Sequence, residues 1–333
     1  MEVRPTPLDD DALASWYDAI KRGWEDGRPW ESAPPLKHYS TLFRTELASE
    51  RNEPFAAYDG ERVVGAGYVS VPLESNTDKV EFILAVPPEH RRRGVGAALL
   101  EEAVARATAA GADYAITMTS YPFEDRETHG FRRFAEANGF ALDLDEVHRM
   151  LPLPVDEALL RKLAHEAAAR HEGYRIETWV NEIPAKYRES WLVSYNLLAI
   201  EAPMGAVPWT ADSYSEQTYH EEFAMLRESG RIRYSSVAIS ADDEVVAYTD
   251  LLLRADGSGR VSQWGTLVRP DHRGHRLGTA VKVANLQALQ HDHPESTEVH
   301  TTNAEVNDAM IGINEVLGFR AVAVHPGFFR RLS

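Results

Sequence analysis

The apolar positions change period between residues 79 and 110, and this change organises the reading of the chain. Residues 79–86, KVEFILAV, form a short apolar run of strand type. Pro87-Pro88 ends it, because proline fixes φ and has no N–H for a ladder. Residues 94–110 follow with Leu99, Leu100, Ala103, Val104 and Ala107 on one helical face, and Gly111 placed to cap the helix. The same order returns later. Trp264, Leu267 and Val268 make a strand-like run, Arg269-Pro270-Asp271 breaks it, and Leu277, Ala280, Val281, Ala284 and Ala288 form a helical stripe.

The two stretches are in register. Val86 matches Val268, His90-Arg91 matches His272-Arg273 and Gly96 matches Gly278, each pair 182 residues apart. Downstream, Asn138-Gly139-Phe140 matches Leu317-Gly318-Phe319 at a spacing of 179. That period is too long for a solenoid repeat, so the pattern predicts a duplicated domain.

The flanking patterns agree. The first copy predicts a strand at 2–6 and helices at 8–22 and 38–50, separated by a Trp- and Pro-rich loop. A hairpin follows at 55–58 and 62–71 around Asp59-Gly60. A strand at 114–117, a helix at 128–138, and strands at 140–142 and 146–151 close the copy. The second copy predicts a strand at 174–179 and helices at 184–200 and 213–229 around a Pro/Gly-rich loop at 201–210. A hairpin at 234–240 and 245–254 precedes the strand at 260–268. A strand at 298–302, a helix at 306–317, and strands at 319–325 and 328–332 end it. Between the copies, residues 152–170 carry an Ala/Leu/Glu-rich helix. The expected domains are 1–151 and 174–333, with a connector helix within 152–173.

The turn before each long helix suggests chemistry. A turn that feeds a helix N-terminus presents unpaired N–H groups at the positive end of the helix dipole. Arg91, Arg92, Arg93, Gly94, Val95 and Gly96 occupy it in the first copy. Arg273, Gly274, His275, Arg276, Leu277 and Gly278 occupy it in the second. Small residues and nearby guanidinium groups make such a turn a pyrophosphate cradle.

Arg91-Arg92-Arg93-Gly94-Val95-Gly96 resembles the Arg/Gln-x-x-Gly-x-Gly/Ala signature of the GNAT superfamily of acyl-CoA N-acyltransferases. Arg273-Gly274-His275-Arg276-Leu277-Gly278 resembles it with one departure, Arg276 at the middle Gly. The Gly-Phe after each later helix fits the same superfamily. The duplicated arrangement resembles the tandem-GNAT group of the mycothiol synthase type. The resemblance implies two α/β (α+β) domains, each a mixed, mostly antiparallel sheet flanked by helices, with acetyl-CoA as cosubstrate. It implies that the strand ahead of each cradle splays from its neighbour. Its backbone N–H groups, at Leu84, Ala85 and Val86 and at Leu267 and Val268, would then hold the pantetheine arm and polarise the thioester carbonyl. Asn307, opening the next helix, stands where an Asn meets the CoA arm in that superfamily, and Asn303, at the end of the preceding strand, lies beside the same cofactor path. Trp24, Trp30 and Tyr39 lie where the acceptor wall is expected. The position of the usual acid, a Tyr, is held by Ala135 and Asn314, which cannot serve. Candidate bases are Glu81, whose counterpart is Gln263, and Asp250 and Glu305 in the second copy. A positive φ at Arg276 would distort the second turn, whereas a helical φ would only add charge beside a phosphate. The C-terminal copy is the active one in the resembling group.

Composition narrows the function further. The chain has 333 residues, no cysteine and a formal charge of −17. Disulfides, thiolate metal sites and an acyl-cysteine intermediate are excluded, so transfer is expected directly from thioester to amine in a ternary complex. An acidic body disfavours nucleic acid and attracts amines. No apolar run reaches membrane-spanning length, and the acidic, Pro-broken start is unlike a signal peptide. The expectation is a cytoplasmic monomer or homodimer without a membrane partner. His291-Asp292-His293 and the pair His272 and His275 have ligand-like spacing but no third strong ligand, so no metal is expected. The expected activity is acetyl transfer to a primary amine of a small molecule. The alternative is an acyl-CoA-binding protein with one or both domains non-catalytic.

Overall fold

The structure is a computed structural model that describes residues 1–201, 205–210, 214–254 and 256–332. Two compact units emerge. The first holds 1–146 with Gly205–Pro208 and Ala323–Ser333, and the second holds Val147–Met204 and Trp209–Val322.

The first unit opens with β1 (Glu2–Pro5), α1 (Asp10–Glu25) and α2 (Leu36–Arg44). Asp9 caps α1 by accepting the Ala12 N–H at 3.0 Å. Next come β2 (Glu50–Asp59), β3 (Arg62–Pro72) and β4 (Lys79–Ala85). Then follow α3 (Val95–Ala109), β5 (Tyr114–Met118) and α4 (Gly130–Ala137). The next strand, β6, is a single strand (Ala141–Pro152) where two were expected. The core sits where α3 covers the sheet: Leu99, Leu100 and Ala103 meet Phe55, Val64 and Phe82. Each fully buried Leu there contributes about 1.5–3 kcal/mol.

The connector is α5 (Glu157–Ala168), capped by Asp156 and packed on α8 (Leu277–Asp292) within the second unit. The remaining elements of this unit are β7 (Arg175–Val180), α6 (Ala185–Glu201), α7 (Glu216–Glu228), β8 (Arg231–Ile239) and β9 (Val245–Arg254), then β10 (Arg260–Val268), β11 (Glu298–Ala304) and α9 (Asp308–Leu317). The expected loop at 201–210 and the expected helix start at 213 lie partly outside the described residues. The stripe predicted for α8 is only partly the buried one. Leu277, Ala280 and Val281 are buried, but so are Lys282, Val283, Asn285, Leu286 and Leu289.

The last strand, β12 (Arg320–Arg331), is again one strand where two were expected. Its residues from Ala323 onward belong to the first unit, where Phe328 pairs with Thr117 and Arg330 with Ala115. The first unit therefore reads β1-β2-β3-β4-β5-β12. The second reads β6-β11-β10-β9-β8-β7, with β6 contributing from Val147 onward. The compact units thus do not follow two consecutive blocks of chain: each copy gives its closing strand to the other. Each unit holds a parallel pair, β4 with β5 and β10 with β11. The β1–β2, β2–β3, β3–β4 and β5–β12 ladders of the first unit are antiparallel, as are β7–β8, β8–β9 and β9–β10 of the second. Among the described residues, no helix is long and apolar enough to cross a membrane.

Candidate functional site

In both units the parallel pair separates just before the cradle. The β4–β5 ladder runs from Lys79↔Tyr114 to Glu81↔Ile116 and stops. The β10–β11 ladder runs from Arg260↔Glu298 to Ser262↔His300 and stops. Leu84 and Ala85, and Leu267 and Val268, lie beyond those points while still pairing on their other edge with β3 and β9. This leaves one edge of each strand without a ladder partner there, next to the start of α3 or α8. The second unit adds a bulge between Gln263 and Thr266 on β10. The Gln263 amide pins that bulge by donating to Thr249 Oγ1 at 3.0 Å, the Asp250 carbonyl at 2.8 Å and the Trp264 carbonyl at 3.0 Å.

The two cradles share a backbone. In the first, Arg92 and Gly94 have φ of 60° and 84°. In the second, Gly274 and Arg276 have φ of 87° and 54°. These are equivalent positions, so each cradle places one Gly and one Arg in the left-handed region. Arg276 does adopt a positive φ, yet the turn is not distorted: the arginine accepts the conformation that Gly94 adopts. The first intrahelical bonds run from Ala98 N–H to the Gly94 carbonyl and from Ala280 N–H to the Arg276 carbonyl, both at 3.0 Å. The N–H groups of Val95, Gly96 and Ala97, and of Leu277, Gly278 and Thr279, therefore have no intrahelical acceptor.

The side chains divide the cradles. The first arginine of each is a latch. Arg91 Nε donates to the Val86 carbonyl at 3.0 Å and its Nη1 to Asp26 at 2.7 Å. Arg273 Nε donates to the Val268 carbonyl at 3.3 Å and its Nη2 to Glu201 at 2.6 Å. Arg276 pairs with Glu166 at 3.3 Å, and His275 Nδ1 lies 3.3 Å from the Arg170 carbonyl. Arg92 and Arg93 are exposed and make no ion pair with the described residues. The first cradle thus keeps two uncommitted cations, and the second commits its arginines to its own carboxylates.

The candidate bases occupy three different environments. Glu81 is exposed on β4, opposite Ser70, at the last paired position before the strands separate. Glu305 is exposed in the turn after β11 and acts on Arg149, which burial pulls down and Glu305 and Glu315 pull back up. Asp250 is different. It is 1% exposed, one oxygen accepts from Arg233 Nη2 at 2.6 Å and the other accepts from the Ser235 hydroxyl. Burial alone would lower the Arg233 pKa, but Asp250 and Glu222 outweigh it and raise it. With both oxygens committed, Asp250 is the counter-ion of a buried guanidinium and does not fit the role of base. Arg233 itself lies 5.0 Å from the Trp191 ring centroid and 4.8 Å from that of Phe223.

The expected acceptor-wall aromatics of the first unit are tied down. Trp24 Nε1 donates to Glu31 at 2.8 Å and Trp30 Nε1 to Ser120 Oγ at 2.9 Å. Tyr39 is buried against Trp16 and Phe43. Beside them Arg28 is pushed down to about 10 by burial. Asn307 caps α9 by accepting the Met310 N–H at 3.2 Å. Asn303 Oδ1 accepts from Asn314 Nδ2 at 2.7 Å, and Asn314 Oδ1 accepts from Lys282 at 2.9 Å. The sequence pattern alone did not single out Lys282. The signal was a charged residue on the helical line Gly278, Lys282, Asn285, Leu289, all of which are buried. Of the histidines with ligand-like spacing, His293 Nδ1 lies 2.9 Å from Glu295 and His272 Nδ1 lies 2.9 Å from the Tyr174 hydroxyl.

A mixed sheet whose parallel pair separates beside the start of a long helix is the architecture of the GNAT fold, and this chain holds it twice. Residues 13–140 match the family model described as the Acetyltransferase (GNAT) family. No curated protein matches the chain significantly. Among solved structures, a tandem GNAT protein from the clavulanic acid biosynthesis pathway is similar at 25% identity and a TM-score of 0.80, over 100% of this chain and 98% of that one. A GCN5-related N-acetyltransferase from Sphaerobacter thermophilus shares the fold at 14% identity and a TM-score of 0.64, over 99% and 95%. The whole chain has the fold of a tandem GNAT protein, and the family model falls on its first unit.

Proposed function

We propose that the chain is an N-acetyltransferase that moves the acetyl group of acetyl-CoA to a primary amine of a small molecule, by direct attack in a ternary complex. One observation carries the reading. Each unit pairs a separated β-strand edge with a left-handed turn whose helix offers three N–H groups without an intrahelical acceptor. That pair suits a thioester and its pyrophosphate together. The similar tandem GNAT protein was solved in a form named as without AcCoA, which supports acetyl-CoA as the donor here. The absence of cysteine removes an acyl-enzyme thioester, and the charge of −17 favours a cationic acceptor. Glu305 or a water activated by it takes the ammonium proton in this reading. We assign turnover to the C-terminal unit and acyl-CoA binding to the N-terminal one, whose cradle keeps Arg92 and Arg93 uncommitted. A panel of small amines, each incubated with acetyl-CoA and followed by thiol release, tests it. Thiol release with none of them, at measurable acetyl-CoA binding, would leave a binding protein instead.

A further inference from the structure

The second unit contains a buried polar chain that the first unit lacks. Lys282 lies on α8, close behind the cradle, and is 2% exposed. Its Nζ donates to Asn314 Oδ1 at 2.9 Å, and Asn314 Nδ2 donates to Asn303 Oδ1 at 2.7 Å. Asn314 is fully buried. Asn303 stands on β11 beyond Ser262↔His300, where that strand has left β10. In the first unit the positions matching Lys282 and Asn314 are Leu100 and Ala135, both buried and apolar.

The chain has a direction. The bonds run from Lys282 to the Asn314 oxygen and from the Asn314 NH2 to Asn303, the only arrangement open to the charged form of Lys282, which can donate but not accept. Asn303 then accepts with its oxygen, and its own NH2 is left as an oriented donor. Burial is the whole cause of the lowered Lys282 pKa, about 7, with no charged neighbour contributing. The ring of Phe319 lies beside it, with its centroid 5.7 Å from Nζ. A buried amine costs stability that an apolar side chain at this place would not, and Leu100 shows that the fold accepts one.

We propose that Asn303 donates a hydrogen bond to the sulfur of the bound acyl-CoA as it departs, with Lys282 and Asn314 as the positioning residues that aim and polarise it. The proposal rests on the acyl-transfer reading above. The acceptor nitrogen forms the new C–N bond with its lone pair. The C–S bond breaks, its electron pair stays on sulfur, and CoA leaves as the thiolate. The proton lost by the amine passes to a carboxylate or water. No proton moves along the chain; its N–H groups stabilise the negative sulfur in a low-dielectric site.

The test uses the full-length protein in a Gly94→Asp background, which confines CoA to the second cradle. The thiolate absorbance of bound CoA is followed against pH, with calorimetric affinity for acetyl-CoA measured in parallel. The titration is expected about one pH unit or more below that of free CoA, a tenfold gain in thiolate. Lys282→Met and Asn303→Ala should both return it to the free value, and Lys282→Met should leave acetyl-CoA affinity unchanged. With an active amine, kcat should fall about tenfold to a hundredfold while KM holds. Should Lys282→Met fail to fold, Asn303→Ala at its half-buried site carries the same test. A thiolate titration and kcat equal to those of the parent protein in either folded variant would overturn the proposal. A parent protein that binds no CoA at either cradle would remove the acyl-transfer reading instead.

Discussion

Arg276 and Gly94 hold the same backbone conformation at equivalent places in their cradles, at φ of 54° and 84°. A Cβ on Gly94 would meet nothing within 4 Å, so the glycine is there for its φ and not for space. A left-handed φ costs a non-glycine residue roughly 1–2 kcal/mol. Gly94→Ala should therefore lower stability by about 1–2 kcal/mol, read by urea denaturation. Arg276→Gly should stay within about 0.5 kcal/mol of the parent, since relief of strain is offset by a more flexible unfolded chain and the exposed Glu166 pair is worth little. A large loss in Arg276→Gly would show that the side chain, not the backbone, holds the turn.

The cradles should bind CoA through backbone N–H groups. A carboxylate placed there repels the pyrophosphate. Gly94 and Gly274 both have open space where a side chain would stand, whereas a Cβ on Gly278 would come within 3.2 Å of Ile313. The Gly94→Asp, Gly274→Asp double variant should lose acetyl-CoA binding in calorimetry while its circular dichroism stays that of the parent. Full affinity in the folded double variant would refute the cradle assignment.

Asp250 should matter for stability before it matters for proton transfer. Neutralising it leaves Arg233 buried with only Glu222 nearby, at 3.7 Å. Breaking a buried pair costs about 3–5 kcal/mol, and Asp250→Asn belongs at the low end because Glu222 remains. A denaturation midpoint unchanged in Asp250→Asn would contradict this role.

Lys282 should make stability rise with pH. Its folded pKa, about 7, lies below the ordinary lysine value. Between the two, the unfolded chain binds more protons than the folded one, so stability increases as pH climbs through that window. The slope reaches at most about 1.4 kcal/mol per pH unit. The difference in unfolding free energy between the parent and Lys282→Met should grow in favour of the parent from about pH 7 to about pH 9. A difference that stays flat would mean that Lys282 remains charged in its site.

The duplication and the turn before each long helix were legible because spacing survives where composition drifts: Val86 and Val268, and Gly96 and Gly278, keep one offset. The exchanged closing strands were not. Alternation along 320–331 marks a strand but not the edge it joins, and Phe328↔Thr117 is a pairing across more than half the chain. Asp250 stood among the candidate bases of the second copy. Its flanks argued otherwise: every residue from Val245 to Leu253 is buried, the sign of a strand covered on both faces. An ionisable group in such a run needs a partner, and Arg233 on the neighbouring strand supplies it.

Which unit turns over is decided by comparing Glu81 with Asn307. Glu81 is the carboxylate on the first cradle strand, exposed at the point where β4 leaves β5. Asn307 caps α9, the helix that carries Asn314. Losing the cap costs about 1 kcal/mol and loosens the helix end that aims Asn303. With turnover in the C-terminal unit, Asn307→Ala should lower kcat at least as much as Glu81→Gln. Asn307→Asp, which keeps a capping oxygen, should retain most of the rate. A lost general base costs about two to four orders of magnitude. If Glu81→Gln showed a loss of that size and Asn307→Ala left kcat intact, the chemistry would belong to the N-terminal unit.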